Sequence, residues 1–154
     1  MATRTRNAGR SALLSPQAMA FLKQRALEIS GAVLVVCGAI LTVSVFGYDS
    51  TDPSLNHAVA REANNPLGLT GAWTADILMQ SIGAASALPG IILMVWGWRL
   101  VRHREMSRSW IRLTAVPATL LLSAFAFAAI DPPGAWPMKV GLGGVTGGIL
   151  LQGA

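Results

Sequence analysis

The sequence predicts an all-α integral membrane protein, and three observations carry that reading. The chain is 53% hydrophobic and only 12% charged, whereas a soluble domain carries roughly 25% charged residues. Its apolar residues gather into long uncharged blocks instead of recurring at period 2 or 3.6. Its cations stand beside those blocks. Of twelve Lys and Arg residues, five precede the first block (Arg4, Arg6, Arg10, Lys23, Arg25) and five lie between the second and third (Arg99, Arg102, Arg104, Arg108, Arg112). Only Arg61 and Lys139 fall elsewhere. A net charge of +5 distributed in this way points to the inner side of a membrane protein rather than to a nucleic-acid surface.

Residues 1–28 read as a basic cytoplasmic tail followed by a short amphipathic helix. Residues 1–14 are small, polar and free of acids, which also suits a mitochondrial transit peptide, the less favoured alternative. Ser15 before Pro16 is a helix start: a side-chain oxygen at the N-cap, then proline at the first helical position. Met19, Leu22, Ala26 and Ile29 share one face with Lys23, Gln24 and Glu28 off it, so this stretch should lead into the membrane along its surface.

Residues 29–46 are 18 uncharged residues, enough for a first transmembrane helix across a hydrocarbon layer of roughly 30 Å. No small-x-small cleavage site follows Phe46, which favours a retained span over a signal peptide. Residues 47–70 form a polar loop of turn formers, among them Asp49, Asp52, Pro53, Asn56, Asn64, Asn65, Pro66 and Gly68. The second block is uncharged over 77–98, and a helix over 71–98 would bring Asp76 into its first two turns. After the basic connection, residues 113–130 supply the third span, which Asp131-Pro132-Pro133-Gly134 stops. The glycine-rich tail offers 12 apolar residues over 140–151. That is too short to cross, so it reads as a re-entrant piece, an interfacial helix or the start of a fourth helix.

Ten cations on the side of the amino terminus against two on the other place that terminus inside. Tyr48, Trp73 and Trp136 then fall at the outer interface, and Trp96, Trp98 and Trp110 at the inner one. An odd number of spans would leave the carboxyl end outside, and the pattern predicts a chain truncated before or within a fourth helix. His57 and His103 fall on opposite sides and cannot share a metal ion within one chain. The lone Cys37 allows neither an internal disulfide nor a multi-cysteine metal site.

Few residues suggest chemistry. Asp76 is the one ionisable group near a span interior, where charge costs several kcal/mol and invites a functional explanation. At roughly 7 to 8 Å along the helix from Gly71, a boundary or helix-pairing role is favoured over a proton or ion relay, with Gln80 one turn deeper on the same face. Gly71, Ala75, Gly83, Ala87 and Gly90 recur at spacings that let backbones approach closely in lipid, between spans or between copies. The run 141–148 has neither GxGxxG nor GxxxxGK[ST] spacing, so it reads as helix packing, Gly143 with Gly147 and Gly144 with Gly148, not as a phosphate cradle. Asp49, Asp52 and Asn56 lack the order of a calcium loop and read as turn residues. No nucleophile, base and orienting group stand at catalytic spacing.

The outer loop and second span contain Tyr48-Asp49-x-x-Asp52-Pro53-Ser54, then Asn65-x-x-Gly68-x-x-Gly71-Ala72-x-x-Ala75-Asp76, then Gly83-Ala84-Ala85. Over roughly residues 20–150 the chain resembles the amino-terminal membrane domain of FtsK/SpoIIIE-type DNA translocases. The resemblance implies a four-helix anchor over 29–154 in the bacterial inner membrane at the division septum. It also implies contacts with other division proteins and with further copies of itself. ATP, Mg²⁺ and DNA would engage a motor domain absent from this segment, and no catalytic, cofactor or metal residue is expected within it. Two other readings stay open: a small transporter or channel subunit with Asp76 and Gln80 on a polar path, and an assembly subunit of a membrane enzyme.

Overall fold

The computed structural model describes residues 15–54, 61–103 and 109–154. Arg4, Arg6, Arg10, Asn56, His57, Arg104 and Arg108, with the side chains of Trp110 and Arg112, lie outside the described residues. What is described is helical: α1 (Pro16–Phe46), α2 (Gly68–Ile82), a short 3₁₀ segment (Gly83–Ser86), α3 (Ala87–Val101), α4 (Ser109–Ala128) and α5 (Gly144–Gln152). The stretches Pro16–Phe46 and Gly68–Val101 are long and apolar enough to cross a membrane, and Leu113–Ala128 is a shorter apolar helix.

Helix α1 starts as its sequence predicts. Pro16 occupies the first turn, and the Ser15 hydroxyl accepts from the Ala18 N–H at 3.2 Å. The amphipathic stretch and the first span, expected as separate pieces, are one helix of 31 residues, about 46 Å long at 1.5 Å per residue. Nothing in its sequence breaks it before Gly47: residues 17–46 contain no proline, and Glu28 lies on the flank that faces the end of α3.

Helices α1 and α3 pack antiparallel through glycines. A Cβ on Gly31 would stand 2.7 Å from the Gly97 carbonyl, and one on Gly38 would stand 2.6 Å from that of Gly90. Apolar burial drives little association in lipid, because acyl chains are as apolar as leucine; close backbone approach supplies dispersion contacts instead. The result is an interior of small and polar side chains (Ala72, Ala75, Ala85, Ala124, Ser44, Ser86) beneath an exposed skin of Val33, Val36, Ile40, Ile91, Val95 and Leu122.

The second apolar block is not the straight helix expected over 71–98. It begins at Gly68 and breaks at Gly83, where φ is 58° and ψ is −133°. Pro89, in the first turn of α3, has no N–H to give to residue 85 and crowds that carbonyl, which disfavours regular helix through this stretch. Asn65, just before α2, bonds to the end of α1. The start of α2 is thus tied to the Phe46 end of α1, while its Gly83 end meets the backbone of residues 142–144. Helix α4 ends at Ala128, two residues short of the expected Ile130, and α5 returns against it.

Candidate functional site

The loop after α1 is a clasp made of its own carboxylates and amides. Asp49 accepts at Oδ1 from the Thr51 N–H and hydroxyl, both at 2.8 Å, and at Oδ2 from the Asn64 amide at 3.0 Å. These bonds, the Asn64 amide foremost, hold the Asp49 carboxyl down to about 2. Asp52 is only 3% exposed and accepts from the Asn64 N–H at 2.7 Å and the Asn65 N–H at 3.0 Å. The buried Asn65 donates to the carbonyls of Ser44 (2.9 Å) and Gly47 (3.0 Å) and accepts from the Leu67 N–H (3.1 Å). One side chain thus satisfies the orphan carbonyls at the end of α1 and fixes the turn into α2.

The string from Asn65 to Asp76 now has a physical account. Gly68 carries a positive φ of 63° at the first position of α2, which a side chain would resist. Gly71 leaves room for the Asn65 amide, and any Cβ there would overlap it. Ala72, Ala75, Asp76 and Met79 form the buried face of α2, while Pro53 packs half-buried beside Asp52. The carboxylates expected as turn residues are committed to internal donors. Among the described residues no three His, Cys, Asp or Glu side chains converge as metal ligands.

Asp76 is buried at 8% exposure and accepts from Gln80 Nε2 at 2.8 Å, one turn along the same helix. Burial first, then the nearby Asp76 and Asp49 carboxylates, push the Tyr48 hydroxyl up from its usual value. Tyr48, Asp76 and Gln80 line a cavity of about 460 Å³ with Ser50, Ser54 and the 137–140 segment. The Trp136 indole donates to the Val140 carbonyl at 3.0 Å and shapes that segment. Nearby, the Ser86 hydroxyl donates to Met79 Sδ at 3.0 Å.

The glycine-rich tail packs into the break. The Ala84 N–H, released from regular helix, donates to the Leu142 carbonyl at 2.8 Å. Gly83 and Gly144 pass so closely that a Cβ on either would stand 2.6 Å from the backbone nitrogen of the other. Gly143 and Gly147 lie against the α4 backbone at Ala124, as their spacing predicts, whereas Gly148 faces open space and does not join Gly144. Of the small residues expected to pack, Gly71, Gly83 and Gly90 are all taken up by this chain itself, and Ala87 is half-buried. Sequence reasoning missed the break; Gly83 followed six residues later by Pro89 is the signal that marks it.

A family model for the 4TM region of DNA translocase FtsK/SpoIIIE matches residues 23–154. The chain belongs to the FtsK/SpoIIIE family. It is 32% identical over 139 residues to DNA translocase FtsK of Bradyrhizobium diazoefficiens, covering 90% of this chain and 17% of that protein. The FtsK of Azospirillum brasilense is 36% identical over 141 residues, 90% of this chain and 22% of the relative. That of Caulobacter vibrioides is 36% identical over 126 residues, 79% of this chain and 15% of the relative. The chain therefore spans about a fifth of these relatives' lengths or less. It matches the multi-pass membrane region of an ATP-driven DNA translocase family and not its ATPase motor. No solved structure matches it significantly.

Proposed function

We propose that this segment is the membrane anchor that holds a DNA translocase at the division septum, linking chromosome segregation to cell division. In this reading the amino terminus and the 99–112 connection lie in the cytoplasm, ten cations against two deciding the orientation, and the clasp lies outside. Other division proteins and further copies of the chain are the partners. ATP, Mg²⁺ and DNA engage only a motor domain beyond this segment.

The observation that supports an anchor best is how the family's own residues are spent. Asp52, Asn65, Gly68 and Gly71 bond or make room for one another and so tie the end of α1 to the start of α2, while Asp76 is met by Gln80 of its own helix. The polar-path alternative draws on the cavity beside Asp76 and Gln80, and one substitution separates the two. In cells carrying the full-length protein with a fluorescent tag, Asp76→Ala should lower septal enrichment or membrane-inserted protein while ion and proton flux in vesicles stays unchanged. A flux that exists and is abolished by Asp76→Ala, with localisation intact, would replace the anchor by the transport reading.

A further inference from the structure

At the end of the α1 and α3 pair opposite the clasp, Val35, Met94, Val95, Trp98 and Arg99 line a groove of about 450 Å³. Its walls are aliphatic and aromatic, and Val95 and Trp98 are 51% and 55% exposed on a surface that a bilayer surrounds. Its Arg99 end is cationic. Arg99 belongs to that lining; its Nε is enclosed by the protein with no acceptor among the described residues, so a ligand in the groove would meet its terminal guanidinium nitrogens. Arg102 lies one turn on, its guanidinium 4.6 Å from the Trp98 ring centroid, so a second cation is held beside the same opening.

An apolar trough that ends in two arginines at the level of an interfacial tryptophan matches one chemistry: an acyl chain joined to an anionic phosphate. Arginine's planar fork suits phosphate oxygens, and the small apolar walls suit a methylene chain. We propose that this groove is a binding site for an anionic glycerophospholipid, its phosphate on Arg99 and Arg102 and one acyl chain along Val35, Met94 and Val95. The site does not depend on the septal role: an anchor that fails to localise would still bind the lipid, and one that localises could fail to bind it.

The test uses the purified chain in a neutral detergent, titrated with phosphatidylglycerol, phosphatidylcholine or soluble glycerol phosphate, with thermal unfolding and native mass spectrometry as readouts. Phosphatidylglycerol should raise the unfolding temperature and remain bound, whereas phosphatidylcholine and glycerol phosphate should do neither. Arg99→Gln should weaken phosphatidylglycerol about five- to tenfold, as expected for one cation near a lipid phosphate. Val95→Trp, which fills the groove and keeps every charge, should weaken it comparably. Equal responses to the two lipids, or undiminished binding by a folded Val95→Trp, would overturn the site. So would a Val95→Cys variant, in a Cys37→Ser background, that crosslinks to a second copy, because a helix would then occupy the groove.

Discussion

The two ends of the helix bundle solve the burial of polar groups in opposite ways. At the loop end, Asp52, Asn65 and Asp76 are buried, and each is met by donors or acceptors from the same chain. At the basic end, Glu28 pairs with His103 Nε2 at 2.9 Å and with Arg25, all three side chains partly exposed, while Arg99 keeps an enclosed nitrogen without an acceptor. The loop end is self-contained, so its geometry is a property of the chain. The basic end keeps cationic side chains, Arg99 in the groove lining and Arg102 over Trp98, that the described residues do not pair.

The sharpest way to break this contrast is at the helix break, on which the loop end is built. Gly83→Val would force a β-branched residue into a positive φ and drive its Cβ into the backbone of residues 142–144. Strain at such a position costs about 1 to 3 kcal/mol, and overlap with backbone adds to it. We expect a loss of about 4 kcal/mol or more, read as loss of folded protein in detergent. A variant that unfolds at the parent's temperature would mean that the tail does not pack in the break.

A smaller effect should follow from Asn65→Ala. It strands the Ser44 and Gly47 carbonyls and the Leu67 N–H together, and unmet buried groups cost about 1 to 3 kcal/mol each before relaxation and water entry. A net loss of about 2 to 3 kcal/mol in thermal or denaturant unfolding is expected. His103→Ala, at the other end, breaks a contact between exposed partners, and such pairs contribute little. If the two variants lose the same stability, the contrast between the ends is wrong.

Much of this architecture is legible in the residues. Uncharged blocks announce membrane helices because a spanning segment has no other way to satisfy its backbone. Ser15-Pro16 announces a helix start because the N-cap chemistry is local. That Asp76 and Gln80 share one face follows from helical spacing alone. What hydropathy conceals is direction. A window over 77–98 counts apolar residues and is blind to a 58° φ at Gly83, so a helix that breaks resembles one that runs straight. Glycine spacing likewise announces close approach but not with whom: Gly90 meets α1, Gly83 meets the tail, and Gly148 meets nothing. Arg99 reads in the sequence as one more topological charge, and its enclosed nitrogen becomes visible only once α1 lies beside it.

The smallest effect concerns the most exposed member of the clasp. The Asn64 amide and the Thr51 N–H and hydroxyl all favour the ionised Asp49 carboxyl, so its folded-state value of about 2 lies below the ordinary carboxylate value of about 3.9. Below both values the folded and unfolded states bind the same proton and the contribution vanishes; above both it is present in full. Stability from Asp49 should therefore hold at neutral pH and fall away as pH drops from about 4 toward 2. Asp49→Asn keeps an oxygen acceptor and removes the titration. Measured unfolding from pH 6 down to pH 2 should show a shallower acid decline in the variant than in the parent, the difference between the two shrinking as pH approaches 2. Parallel curves would mean that solvent screens Asp49 and that the clasp's rigidity rests on the buried Asp52 and Asn65 alone.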